Sequence, residues 1–184
     1  KTILYRPLSN YTYGTLDTVH DMMRHPDTLV GLGDGGAHVG ILSDASAITY
    51  MLTHWTRDRT RGAKLSLSWA VKRLTGDNAA AIGLSDRGVI RTGAKADINV
   101  IDYDRLAIHA PEVVYDLPSG GRRLIQKTDG YTATIVAGEI VGLDAVDHHH
   151  HVVAFRAAHA QLGLLADATG VTEHDTRHVT QEIG

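Results

Sequence analysis

Val30-Gly31-Leu32-Gly33-Asp34-Gly35-Gly36-Ala37-His38 is the stretch from which the fold is read. Thr28, Leu29 and Val30 lead into it and suit a short buried strand. The chain then turns to glycine, with one carboxylate, Asp34, placed among them. Glycine on both sides of Asp34 lets the backbone take positive φ or press closely against a ligand. Ile41-Leu42-Ser43-Asp44 follows, and a helical pattern starts at once. A strand, a glycine-rich turn bearing one acid, and a helix describe the C-terminal end of a strand in an α/β protein. Such folds keep their chemistry there.

Upstream, Ile3-Leu4-Tyr5 suits a short strand ended by Pro7, and Asn10-Tyr11-Thr12-Tyr13-Gly14 a loop. Thr15 is placed to cap a helix over Leu16–Arg24 with Leu16, Val19, Met22 and Met23 on its apolar face. His25-Pro26 ends it, because the residue before proline avoids the α region. Downstream, Asp44 caps Ala45–Trp55, whose stripe is Ala45, Ile48, Met51, Leu52 and Trp55. Arg57-Asp58-Arg59-Thr60-Arg61-Gly62 reads as a solvated basic link or an interface. Ser66 caps Leu67–Leu74, closed by Gly76, and Asp77 or Asn78 starts Ala79–Ile82, closed by Gly83.

From Arg87 the period changes to that of strands. Gly88-Val89-Ile90 and the run from Gly93 to Asp102 read as β, with Ile98, Val100 and Asp102 alternating with Asn99 and Ile101. Pro111, Pro118 and Ser119-Gly120-Gly121 mark loops. Thr132–Val136 turns through Ala137-Gly138-Glu139 into Ile140-Val141 as a hairpin. Three segments result: α/β over 1–85, β over 86–143, and a tail over 144–184 that fits neither. The tail carries the run His148–His151, either a flexible low-complexity stretch or a metal binder, and a helical pattern over Val152–Ala168. His174 and His178 are four apart, but Asp175 stands where the helical metalloprotease pattern needs Glu.

Composition narrows the function. Hydrophobic residues make up 43% of the 184, enough to build a core. A net charge of −3 without any Lys/Arg cluster argues against a nucleic-acid partner. No apolar run is long enough to cross a bilayer, so no membrane role is expected. The absence of cysteine excludes disulfides and thiolate zinc sites and mildly favours the cytoplasm. The chain opens Lys1-Thr2-Ile3 with no Met and reads as truncated at its start. Its oligomeric state is not legible.

Three segments point to one family. The first is Gly31-Leu32-Gly33-Asp34-Gly35-Gly36-Ala37-His38 approached through His25-Pro26, with Ser43-Asp44-Ala45-Ser46 and Thr53-His54-Trp55-Thr56-Arg57-Asp58 behind it. The second is Leu74-Thr75-Gly76-Asp77-Asn78-Ala79-Ala80 running into Gly83-Leu84-Ser85-Asp86-Arg87-Gly88. The third runs from Ile90 through Gly93-Ala94-Lys95-Ala96-Asp97 to Asp102 and is closed by Val136-Ala137-Gly138-Glu139-Ile140-Val141. Together they resemble the C-terminal part of the amidohydrolase superfamily, in its N-acyl-D-amino-acid deacylase (D-aminoacylase-like) branch.

The resemblance covers roughly Leu4 to Val141 and implies the last strand or two of a metal-dependent (β/α)₈ barrel, then part of a small β-sandwich. It implies an enzyme that hydrolyses linear amides of small N-acyl amino acids. A cyclic-amide hydrolase of the dihydroorotase or hydantoinase type and a non-catalytic β-rich fragment are the alternatives. Asp34 inherits the role of general base and metal ligand beside one or two divalent ions, zinc in this branch. Gly35, Gly36 and His38 line the substrate side. A base next to a metal-activated water takes its proton and passes it to the leaving amine. Catalytic zinc takes about three protein ligands, and the family's His-x-His pair and other ligands have no counterpart in this sequence. The remaining ligands are therefore expected outside this chain, which alone is expected to be inactive. On residue type alone, Asp34 is equally at home stabilising a turn. A phosphate cradle on the same glycines lacks the dinucleotide spacing and the P-loop Lys-Ser/Thr. His38 either shapes the pocket or is structural. His54, beside Trp55, reads as a hydrogen-bonded core histidine, and His20 and His25 as surface residues.

Overall fold

Ser66 opens a helix with a side-chain cap: its Oγ accepts the backbone N–H of Trp69 at 3.3 Å, one of the donors a helix start leaves unpaired. The computed structural model describes residues 9–11, 13–31, 40 and 46–143, together with the backbone of 152–155. Helix α1 spans Asp17–Arg24, with the hydroxyl of Thr15 accepting from Asp17 N–H at 3.4 Å. Helix α2 spans Ala47–Thr53 and widens into a π-helical turn over His54–Asp58. Helix α3 spans Leu67–Lys72, widens in the same way over Arg73–Asp77, and continues into α4, Asn78–Ala81. Gly76 thus lies inside a continuous helical run and ends nothing; Gly83 follows its close. Gly76 serves packing instead, because Gly88 crosses the helix there. A Cβ on Gly88 would stand 2.8 Å from that of Ala79 and 3.0 Å from Gly76 Cα.

The strands are β1 Ile98–Asp102, β2 Ala107–Ile108, β3 Glu112–Leu117, β4 Gly121–Ile125, β5 Thr128–Asp129, β6 Tyr131–Val136, β7 Glu139–Leu143 and β8 Val152–Phe155. They form a four-stranded sheet in the order β7-β6-β1-β8 and two separate ladders, β2-β5 and β3-β4. Every pairing among the described residues is antiparallel. The β6–β7 hairpin closes on Ala137 and Gly138, both at positive φ, the geometry that matches strand twist in a two-residue turn.

One buried cluster joins the helices to the sheet. Met51, Leu52 and Trp55 of α2 and its π turn, with Leu65, Ala70 and Leu74, meet Ile101 of β1 and Leu106. Full burial of each large side chain contributes roughly 1.5–3 kcal/mol. Polar links cross the same seam. Arg57 donates to the carbonyls of Tyr103 and, at 2.7 Å, Leu106, and Thr56 and Tyr103 share a hydroxyl contact of 2.5 Å.

Several expectations are corrected. Thr28–Val30 is not a strand: Leu29 is 58% exposed, and the Val30 carbonyl is taken by a side chain. Gly88-Val89-Ile90 is a turn region rather than a strand, with Ile90 facing solvent. Ile98, Val100 and Asp102 do not form the buried face of β1. A register shift between Val100 and Ile101 breaks the alternation, and Ile101 and Asp102 are the buried pair. At the start of the expected tail helix, 152–155 is a strand paired with β1. No helix of the described residues is long and apolar enough to cross a membrane.

Candidate functional site: the residues flanking 32–39

Asp34, Gly35, Gly36 and His38 lie outside the described residues, as do Asp44, His148–His151, His174 and His178. What the structure does describe is how the chain is held on either side of the 32–39 segment. On the incoming side, side chains from the end of α3 and the start of α4 reach back some fifty residues. Arg73 donates through Nη2 to the carbonyls of Met23 at 3.2 Å and His25 at 2.6 Å. Asn78 donates through Nδ2 to the carbonyl of Val30 at 2.6 Å. Gly31 follows at φ +124°, where a Cβ would stand 3.1 Å from Leu74 Cδ2 and 3.3 Å from Asn78 Nδ2. Only glycine takes this conformation without strain.

The outgoing side is held from the sheet region. A Cβ on Gly40 would stand 3.5 Å from Arg122 Nε of β4. Ser46, at the head of α2, donates its hydroxyl to Gln126 Oε1 at 2.5 Å. Val30 and Gly31 are therefore held against α3 and α4, and Gly40 lies beside β4.

Arg73 is itself held in place. It pairs with Asp77 at 3.3 Å and lies 5.4 Å from the Trp69 ring centroid. Hydrogen bonding from Lys72, and secondarily from Arg73, holds the Asp77 carboxyl below its usual range. The Asp77 carboxylate is thus the common anchor of Lys72 and Arg73.

A second cluster surrounds Trp55. Arg59, 2% exposed, donates to the carbonyls of Arg61 at 2.7 Å and Ala63 at 2.8 Å and to Asp17 Oδ1 at 2.5 Å. Its guanidinium lies 4.7 Å from the Trp55 ring centroid. The link expected to be solvated or an interface is mostly exposed, but its Arg59 is buried and ties α1 to the turn after α2. His54 stacks on Tyr50, with centroids 4.6 Å apart and planes 6° apart, and meets Trp55 edge-on. Its Nε2 is buried with no hydrogen-bond partner among the described residues, so the expected hydrogen-bonded histidine is a ring-packed one. Burial, reinforced by Arg59 and opposed by Asp58, lowers its pKa. His20 is buried at 7% exposure beside Trp55, correcting its assignment to the surface, whereas His25 is exposed as expected.

Among the described residues no three His, Asp or Glu side chains gather as metal ligands, so these residues do not by themselves make a metal centre. Residue-by-residue reading missed Arg73 and Asn78, because nothing near them in sequence names their carbonyl partners. Asn78 reads in sequence only as a candidate start of the helix Ala79–Ile82.

No curated protein and no solved structure matches the chain. The model of the Amidohydrolase family matches residues 5–142. That span takes in Asp34, the α3–α4 segment that holds Val30, and strands β1 to β6. The chain belongs to the amidohydrolase family.

Proposed function

We propose that this chain carries the general base of a hydrolase of linear amides, acting on N-acyl-D-amino acids, with Asp34 as the base. The observation that supports it is the family match running through the glycine turn that bears Asp34. As a carboxylate, Asp34 accepts a proton from the attacking water as the water oxygen bonds to the amide carbon. It then returns that proton to the nitrogen as the C–N bond breaks, so acid and amine leave with no other reactant needed. Gly35 and Gly36, without side chains, leave room on the substrate side, and His38 borders it.

The reading extends to the last part of a (β/α)₈ barrel followed by part of a β-sandwich, with the tail from 144 beyond both. Family members generally bind divalent metals. Zinc, with Asp34 as one ligand and the others outside residues 1–184, belongs to the proposal. So does a cytoplasmic setting, which rests on the cysteine-free composition.

The test is Asp34→Asn in the full-length enzyme. Asn is nearly isosteric and keeps the turn, but cannot accept the proton. Turnover of an N-acetyl-D-amino acid should fall by about 10²–10⁴-fold, with KM and melting temperature little changed. Unchanged turnover with reduced stability would make Asp34 a turn residue.

A further inference from the structure

We propose that His54 is an acid-operated release for the N-terminal end of α1: a proton on its ring loosens the seat of Arg59, and with it the tie from Arg59 to Asp17. Helix α1 is held at both ends by arginines from later in the chain. At its C-terminal end Arg73 donates to the carbonyls of Met23 and His25. At its N-terminal end Arg59 donates to Asp17 at 2.5 Å, while Arg61 reaches the Tyr11 hydroxyl at 3.2 Å and the Gly14 carbonyl at 2.9 Å. This second end responds to mild acid, because an imidazole is packed into the same cluster as Arg59.

Trp55 is the surface they share. Its ring centroid lies 4.7 Å from the Arg59 guanidinium, 5.3 Å from the His54 ring and 6.3 Å from the His20 ring. His54 is also stacked on Tyr50, so it cannot swing aside without breaking that stack. In the charged form Nε2 must donate, yet it is buried with no acceptor among the described residues. The charges facing it are already committed. Asp58 is held by Arg57 through both oxygens, at 2.7 and 3.0 Å. Across a cleft of about 320 Å³ stand Tyr11 and Arg61, bonded to each other. From α1, Asp17 is on Arg59, and His20 pairs with Asp21 at 3.2 Å. Burial first, then Arg59, holds the His54 pKa below 6.5, with Asp58 opposing. Such coupling is reciprocal: if the Arg59 charge weakens proton binding at His54, a proton on His54 weakens the seating of Arg59 equally. The two carbonyls on Arg59 come from its own loop and move with it. Asp17, mostly exposed, is the partner left behind. Once it lets go, the side of the cleft formed by Tyr11, Thr15 and Leu16 opens, and water reaches the ring. The open form binds the proton at the ordinary value and the closed form only below it, so opening is favoured as pH falls from 6.5.

The experiment is hydroxyl-radical footprinting of the full-length enzyme at pH 7.5 and pH 5.5, read residue by residue by mass spectrometry. Trp55 and Met51 are both buried, and only Trp55 lies under the tie. Labelling of Trp55 and Leu16 should rise at least about threefold at pH 5.5, with Met51 unchanged. In His54→Gln, which takes no charge, the rise should vanish. His54→Phe keeps the ring stack and serves if the glutamine variant does not fold. Asp17→Asn removes the tie directly and should show the raised Trp55 labelling already at pH 7.5. No rise at Trp55 in the native enzyme, or an equal rise at Met51, would overturn the proposal. So would an undiminished rise in a folded His54 variant, or an Asp17→Asn enzyme as protected at Trp55 as the native one.

Discussion

The hydroxyls of Thr49 and Tyr131 lie 2.8 Å apart, joining α2 to β6 across 82 residues of chain. Thr49 is 5% exposed, and burial raises the pKa of the Tyr131 phenol, with the Thr49 hydrogen bond opposing the rise. Tyr131→Phe removes one partner and leaves the Thr49 hydroxyl buried without it. The cost should be about 1–3 kcal/mol of unfolding free energy, read by urea denaturation at neutral pH. A neutral result would mean that the seam between helices and sheet is held by apolar packing alone.

Arg59 should resist its conventional replacement. One guanidinium serves two carbonyls and Asp17 while lying on Trp55, and an ammonium cannot reproduce that planar fork. Arg59→Lys is expected to cost about 2–4 kcal/mol. Asp17→Asn should cost about 1 kcal/mol or less, since Asp17 is mostly exposed and both carbonyl bonds survive. Thermal melts of the two variants side by side decide this, and a reversed order would refute it.

His54 makes stability depend on mild acid. Its folded pKa lies below the ordinary 6.5, with burial the leading cause. The unfolded chain therefore binds the proton first, and stability falls as pH drops from 6.5 toward the folded value. Below that value both states are protonated and the loss stops growing. The drop in melting temperature between pH 7.5 and pH 5.5 should be larger for the native chain than for His54→Gln. Identical slopes would show that the other histidines carry the effect.

Strand β8 ties residues beyond 143 to the centre of the sheet. Its register against β1 runs from Asn99↔Phe155 to Asp102↔Val152. Deleting 144–184 should strip one side of β1 of its partner and lower stability by several hydrogen bonds' worth, each about 0.5–1.5 kcal/mol. Hydrogen exchange of the β1 amides would rise. Unchanged protection in β1 and an unchanged melt would instead make the segment an appendage.

Where the sequence spoke through local chemistry, it was legible. The Ser66 cap, the Ala137-Gly138 hairpin and the Met51-Leu52-Trp55 stripe each depend on residues within one or two turns of one another. The β3–β4 ladder was not foreseen, because Glu112, Asp116, Arg122 and Arg123 interrupt any alternation. Its partner choice instead shows in cross-strand pairs such as Arg123 with Asp116 at 2.6 Å. Arg59 was misplaced for a related reason. Charge predicts exposure only when no carbonyls lie within reach, and two of them come from its own loop. At the proposed site, the glycine-rich stretch and its acid stood out by composition. The side chains that hold its approach, Arg73 and Asn78, act through backbone carbonyls, which carry no residue identity for sequence to reveal.

The two π turns give the gene a length constraint at these points. Each is followed by the residue that reaches far back along the chain: Arg59 to Asp17 after the first, Asn78 to Val30 after the second. A helical residue carries about 100° of rotation. An in-frame loss of one codon within the regular α stretch Leu67–Lys72 would swing Asn78 and everything beyond it around the helix by about that angle. A missense change at exposed Lys72 leaves every such direction intact. Around these turns the number of residues is under tighter restraint than the identity of most of them.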